Sequence, residues 1–183
     1  MNRTPDIGEL GEQLVAEWLQ QQDWVILHHR WRCRWGEIDL IAQHEESKGV
    51  GDGERERWET RKNLPETSSP LLAFVEVKTR SRGNWDADGM LAITPAKQAK
   101  LWQTAQLFLA ERPDLANLPC RFDVALVSCQ RLSVRSHPNN TKLSGSSAEI
   151  DKALQLSPVL PSQPVFVAGY QLILQDYIQS AFD

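Results

Sequence analysis

Two short stretches of this chain carry acidic and basic residues at a spacing that suits metal-dependent cleavage of phosphodiester bonds. Asp39 ends the stretch Gly-Glu-Ile-Asp, and Glu76 and Lys78 lie in Phe-Val-Glu-Val-Lys. β-Branched and aromatic residues dominate the second stretch and predict a strand over 71–80. Side chains two residues apart on a strand point to the same side. We therefore expect Glu76 and Lys78 to lie side by side, on the same side as Phe74.

The surroundings of Glu76 distinguish this pair from an ordinary ion pair on a solvated strand, which is the usual meaning of an isolated Glu-x-Lys. Residues 71–77 are apolar except for Glu76, and such a run is typical of a buried strand. A buried carboxylate is costly unless it is paired or binds a metal. The sequence therefore predicts a compensating partner for Glu76.

A second carboxylate comes from the strand-like run Trp-Gly-Glu-Ile-Asp-Leu-Ile. Strict alternation would place Glu37 and Asp39 on one face of this strand and Ile38 and Leu40 on the other. On adjacent strands, Asp39 and Glu76 would converge. Glu37 either assists there or, as we expect, makes a structural hydrogen bond or a salt bridge to a nearby arginine.

Two converging carboxylates suit a hard cation such as Mg²⁺ or Mn²⁺, because Mg²⁺ takes oxygen ligands and keeps several waters. Such an ion polarises a scissile phosphate and activates water. Lys78 has two possible roles beside it. Its amine either orients or deprotonates the attacking water, or stabilises the charge that develops on the phosphate oxygens.

These residues and several other short motifs resemble the uncharacterised YraN-like family of bacterial proteins. That family is placed in the restriction-endonuclease-like PD-(D/E)xK nuclease superfamily, alongside archaeal Holliday junction resolvases. The resemblance is carried by Gly8, Gly11-Glu12, 31–34, 36–41, 74–80, Ile93-Thr94, Lys97, 121–124 and Ala181-Phe182. It implies an α/β, restriction-endonuclease-like fold with a central mixed β-sheet flanked by helices and an αβββαβ core.

The resemblance also implies roles for individual residues. Asp39, Glu76 and Lys78 would occupy the catalytic positions, with Asp39 and Glu76 as the metal ligands. Glu12, on the first helix, would be an additional acidic member, although a glutamate on an amphipathic helix is as often a solvated surface residue. The resolvases further suggest DNA, possibly branched or otherwise structured, as the substrate and a homodimer as the assembly.

The charge of the whole chain initially argues against nucleic-acid binding, because the net charge is −4 and the pI is about 5.6. Cations nevertheless cluster in sequence around the proposed site, where they could follow a phosphate backbone. The candidates are Arg32, Arg34, Arg80, Arg82, Lys97 and Lys100. The alternative is an ordinary solvated face of arginines and lysines.

Hydrophobic periodicity and helix signals predict an alternating α/β order. The predicted helices cover 6–22 and a segment from Thr94-Pro95 to just before Pro113; the predicted strands cover 24–32, 36–42, 71–80, 121–129 and 165–168. Asp123, on the fourth of these strands, is expected to support the sheet through an ion pair or a turn contact.

The length of the chain favours a single nuclease-like domain over 1–183. Two polar segments, about 44–70 and 135–163, depart from the family pattern and are expected to be flexible loops. No apolar stretch is long enough to cross a membrane, which predicts a cytoplasmic protein without a membrane partner. The three cysteines lack a metal-ligand spacing.

Two alternatives to a nuclease follow from the same residues. A protein with this fold could bind nucleic acid or a protein partner without cutting, although a degenerate site would more often have lost one of Asp39, Glu76 and Lys78. Alternatively, Glu76 and Lys78 could simply pair within the sheet of an assembly factor.

Overall fold

A computed structural model describes residues 6–44, 70–81, 93–132 and 158–182, which form a mixed sheet with a helix on each face. The elements are α1 (Ile7–Gln20), β1 (Trp24–Cys33), β2 (Gly36–His44), β3 (Leu71–Arg80), α2 (Pro95–Glu111), β4 (Cys120–Arg131), β5 (Pro164–Val167) and β6 (Tyr170–Phe182). The predicted α/β class and αβββαβ core are confirmed. The core is followed by β5 and β6.

The six strands lie in the order β1-β2-β3-β4-β6-β5. β3 and β4 are parallel, whereas every other neighbouring pair is antiparallel. The two predicted loop segments fall mainly on 45–69 and 133–157, which lie outside the described residues. Among the helices of the described ranges, neither is both long and apolar enough to cross a membrane.

Both helices begin at the predicted signals. The Asp6 side chain accepts a hydrogen bond from the backbone N–H of Gly8 at 3.0 Å, which caps α1. Thr94 caps α2 by accepting from the backbone N–H of Lys97 at 3.3 Å, and Pro95 occupies the first turn. These caps satisfy backbone donors that a helix leaves unpaired, and they fix where each helix meets the sheet.

The sheet separates two apolar cores. The core on the α1 side includes Leu14, Val15, Leu40, Val75 and Leu172, and the core on the α2 side includes Ile38, Ile41, Phe74, Phe108 and Phe122. Each helix therefore holds one face of the same central strands. The packing of α1 on one face and of α2 on the other therefore fixes the positions of side chains near the ends of these strands.

The alternation expected for β2 is wrong at Asp39. Ile38 packs in the α2-side core and Leu40 in the α1-side core, so these two residues do not share a face. The backbone is irregular here: Arg30, on the neighbouring β1, has a left-handed φ of 48°, which is uncommon for residues other than glycine. In addition, the β2–β3 pairing extends from His44 only to Leu40, which pairs with Val75.

β6 is the largest element that the sequence pattern missed, since the last predicted strand ended at 168. It pairs with β4 over most of its length, with register shifts that interrupt a simple alternation. Asp123 of β4 is fully buried and accepts hydrogen bonds from the hydroxyl of Tyr177, the backbone N–H of Ser180 and the side chain of Arg121. The predicted supporting role of Asp123 is thus confirmed.

Candidate active site

Glu76 is a buried carboxylate held between two lysines. It lies on β3, with only 4% of its surface exposed. The ammonium of Lys78, on the same strand, donates to Oε1 at 2.6 Å. The ammonium of Lys97, from the first turn of α2, lies 3.1 Å from Oε2. The predicted proximity of Glu76 and Lys78 is therefore observed, and a third charged group joins them from another element.

The two carboxylate oxygens of Glu76 differ in their hydrogen bonding. Oε1 accepts from Lys78, whereas the buried Oε2 accepts no hydrogen bond from any residue that the structure describes. Lys97 is within ion-pair distance of Oε2, but the orientation of the two groups does not make a hydrogen bond. A buried acceptor without a donor is costly, so the charge of Lys97 at 3.1 Å is what balances Oε2, in place of a directed hydrogen bond.

Asp39 lies where the pairing of β2 with β3 ends. Its Oδ2 accepts the backbone N–H of Val77 at 2.7 Å, just beyond the last paired residues of the two strands. Asp39 is 7% exposed. Burial, followed by the negative charge of Glu76, raises the pKa of Asp39 to about 7, although the Val77 N–H opposes the shift. The two carboxylates therefore act on each other electrostatically.

Glu12 belongs to a second ion cluster, on the α1 side. Arg30 grips its carboxylate with two hydrogen bonds, from Nε at 2.6 Å and from Nη2 at 3.0 Å. Asp6 lies 3.6 Å from the same guanidinium, and the hydrogen bond to Glu12 raises the pKa of Arg30 further above its ordinary value. Glu12 is 9% exposed, so it is not a solvated surface residue, which was the alternative to a role at the site. Its charge contributes to the raised pKa of Asp39.

Gly11 explains how α1 packs so close to β3. A Cβ atom at this position would lie 1.9 Å from the side-chain oxygen of Thr79. Only glycine permits this approach without moving the helix or the strand. The sequence motif includes Gly11 without showing why glycine is needed there. The close contact with Thr79 explains the need.

The cations predicted to bind nucleic acid occupy different environments. Lys97 contacts Glu76, and Lys100 is exposed on α2. Arg32 pairs with Glu37 at 2.6 Å, which confirms the expected structural salt bridge. Arg34 lies over the ring of the exposed Trp35, 5.0 Å from its centroid. Arg80 is partly buried at the end of β3, and Arg82 lies outside the described residues.

Two further features bear on ligand binding. A cavity of about 370 Å³ lies between α1 and β1 and is lined by Glu9, Glu12, Gln13, Ala16, Glu17, Gln20, His29 and Arg30. It does not include Asp39 or Glu76. Within the described ranges, no three side chains of histidine, cysteine, aspartate or glutamate come together as a metal cage. The two predicted metal ligands, Asp39 and Glu76, are both buried.

Comparison with other proteins places this chain in a family. The model of the uncharacterised protein family UPF0102 matches residues 11–127. The chain is 48% identical to UPF0102 protein AM1_3954 of Acaryochloris marina, over 99% of this chain and 92% of that protein. It is 41% identical to UPF0102 protein sll0189 of Synechocystis sp., over 97% of each chain. The chain therefore belongs to the UPF0102 family, which is the YraN family.

Proposed function

We propose that this member of the UPF0102 family is a metal-dependent nuclease that hydrolyses phosphodiester bonds in DNA. The observation that supports this most is the pair of buried carboxylates, Asp39 and Glu76, beside the ammonium of Lys78. Buried titratable groups with strongly perturbed pKa values are typical of functional sites, and the pKa of Asp39 is raised to about 7 by burial and by Glu76. Asp123, which is fully buried and accepts hydrogen bonds on both carboxylate oxygens, shows what a structural carboxylate looks like in this fold.

The residues present fit a hard divalent cation. Glu76 Oε2 accepts no hydrogen bond within the described structure, and the pKa of Asp39 is raised by the nearby charge of Glu76. A cation between them would relieve both unfavourable features. Two carboxylates without nitrogen or sulfur ligands favour Mg²⁺ or Mn²⁺, with open positions for water and phosphate. Such an ion supplies Lewis-acid stabilisation of phosphate charge and activation of water.

The side chains around the carboxylates have separable tasks in this proposal. Lys78 is partly exposed beside Glu76, so its ammonium can reach substrate and either orient the attacking water or stabilise charge on the phosphate. The backbone N–H of Val77 orients the carboxylate of Asp39. Glu12 is already bound by Arg30, so we assign it an electrostatic and positioning role rather than that of a metal ligand.

DNA is the proposed substrate, with branched or otherwise structured DNA as the preferred form. Exposed cations support contacts with phosphate, namely Lys100 on α2 and Arg32 and Arg34 at the end of β1 or just beyond it. The choice of branched DNA rests on the resemblance to resolvases. A homodimer would present two such sites to a symmetric junction.

The experiment that tests this function is cleavage of labelled duplex, single-stranded, flap and four-way-junction DNA with Mg²⁺ or Mn²⁺. We expect Asp39→Asn, Glu76→Gln and Lys78→Met each to lower the cleavage rate at least about hundredfold, since each removes a group that acts on the reacting atoms. Asp114→Asn is the matched control, because Asp114 is an exposed carboxylate that pairs with Arg112, its near neighbour in the chain. Thermal unfolding of each variant checks that the fold is retained.

The other outcomes separate the alternatives. DNA binding in chelator, without cleavage of any substrate by the wild type, would indicate a binding module and contradict the nuclease proposal. Neither binding nor cleavage would leave Glu76 and Lys78 as a structural ion pair in an assembly factor. Cleavage that survives in Glu76→Gln would also contradict the proposal, because the activity would then come from another site or from a contaminant.

A further inference from the structure

Lys97 approaches the proposed metal site from a different element than the catalytic candidates. It lies in the first turn of α2, where its backbone N–H donates to the capping side chain of Thr94. From there its side chain reaches across to Oε2 of Glu76 on β3. The contact therefore depends on the tertiary fold, whereas Lys78 lies two residues from Glu76 on the same strand.

The contacts of the two lysines with Glu76 differ in strength. Lys78 makes a short hydrogen bond of 2.6 Å to Oε1. Lys97 lies 3.1 Å from Oε2 without a hydrogen bond, and its side chain is 32% exposed whereas that of Glu76 is 4% exposed. A lysine side chain is a long, flexible stem that carries a point charge, so it can leave such a contact at small cost. Lys97 is the more easily displaced of the two.

The charge of Lys97 also acts on both carboxylates of the site. It pairs with Glu76, and it lowers the pKa of Asp39 against the larger effects that raise it. A divalent cation bound between these carboxylates would act in the same way. An ammonium and a divalent cation cannot both occupy the space in front of one carboxylate oxygen, because like charges at such short range repel strongly.

We propose that Lys97 is a displaceable counter-ion, which neutralises the carboxylate pair while the metal is absent and leaves Glu76 Oε2 when a divalent cation binds. This inference rests on the proposed metal-dependent function.

The first test measures Mn²⁺ affinity of the full chain without DNA, from the electron paramagnetic resonance signal of free Mn²⁺. Because Lys97 competes with the cation, Lys97→Met should bind Mn²⁺ roughly three- to tenfold more tightly than the wild type. Lys100→Met is the control for charge, since it removes an exposed ammonium one turn further along α2. Its affinity for Mn²⁺ should stay within about twofold of the wild type.

The second test detects displacement in the wild-type protein. Lysines are acetylated under limiting conditions with and without Mn²⁺, and the modification of each residue is quantified by mass spectrometry. Mn²⁺ should increase the acetylation rate of Lys97 at least about threefold, because an amine that leaves an ion pair becomes accessible. The rates of Lys78 and of the already exposed Lys100 should change much less.

Two results would overturn the inference in different ways. Mn²⁺ binding that leaves Lys97 acetylation unchanged, with no gain of affinity in Lys97→Met, would show that the lysine is not displaced. The metal-dependent function would survive that result. Failure of the wild type, Lys97→Met and Lys100→Met all to bind Mn²⁺ would overturn both the inference and the metal site on which it rests.

Discussion

The two ion clusters on opposite sides of the sheet bury a carboxylate to a similar degree but hold it differently. On the α1 side, the fork of Arg30 provides a donor to each oxygen of Glu12. On the α2 side, two lysines contact Glu76, and only one of its oxygens accepts a hydrogen bond. A bidentate arginine pair is specific in geometry, whereas ammonium groups are exchangeable point charges. The first cluster is therefore suited to fixing the architecture, and the second is suited to the ligand exchange that we propose.

The largest effect should come from breaking the α1-side pair. Arg30→Met leaves the buried carboxylate of Glu12 without its fork, and we expect the free energy of unfolding to fall by about 2–3 kcal/mol. Urea denaturation measures this change. Arg32→Met is the control, since the exposed pair of Arg32 with Glu37 should contribute about 0.5 kcal/mol or less. Equal losses in the two variants would contradict the distinction between a fixed cluster and an ordinary surface pair.

An intermediate effect should come from Asp39 and should depend on pH. Its folded-state pKa of about 7 is above the ordinary value of 3.8. Between these values the folded protein retains a proton that the unfolded chain has released, so stability falls as the pH rises through this window. In chelator at pH 8, Asp39→Asn should therefore be more stable than the wild type by about 1–2 kcal/mol.

Urea denaturation of both proteins at pH 4 and pH 8 checks the sign of this effect. The difference in stability between Asp39→Asn and the wild type should be larger at pH 8 and shrink toward pH 4. Saturating Mn²⁺ should stabilise the wild type and not the variant, because ligand binding stabilises the folded state only where the site is intact. A difference that does not change with pH would contradict a raised pKa for Asp39.

The smallest effect should come from Lys97. In chelator, Lys97→Met should lower the free energy of unfolding by about 1 kcal/mol or less, because the contact is partly exposed and Lys78 still holds Glu76. Thermal unfolding with saturating Mn²⁺ should then show the variant to be at least as stable as the wild type. A loss as large as that of Arg30→Met would mean that both clusters are structural.

Local sequence pattern was sufficient for much of the fold. The strand predicted over 71–80 has the observed bounds of β3, and both helix caps lie at the predicted residues. Burial of Glu76 also followed from its apolar neighbours. These features depend on residues that are close together in the chain, where side-chain alternation and capping act.

Features that depend on tertiary contacts were not predictable in the same way. Ile38 and Leu40 lie on opposite faces of β2 because the backbone is irregular beside Arg30. A strict alternation of side chains along the sequence does not predict such an irregularity. β6 was not predicted, because its register shifts against β4 interrupt the alternation of side chains that identifies a strand in the sequence. Lys97 was expected to follow phosphate with Lys100, and only the packing of α2 on the sheet shows its contact with Glu76. The roles of the site residues remain a prediction.

The parallel pairing of β3 with β4 bears on the order in which the chain folds. β1 and β2 are joined by a tight turn and can pair early, because little chain must be closed. The parallel pairing of β3 with β4 requires α2 to cross over the sheet between them. Forming this pair therefore closes a much longer segment of chain than forming the β1–β2 pair does. We therefore expect Asp39 to join a structured hairpin before Glu76 and Lys97 arrive. Asp39 and Glu76 come together when β2 pairs with β3, whereas Lys97 reaches Glu76 only when α2 packs on the sheet.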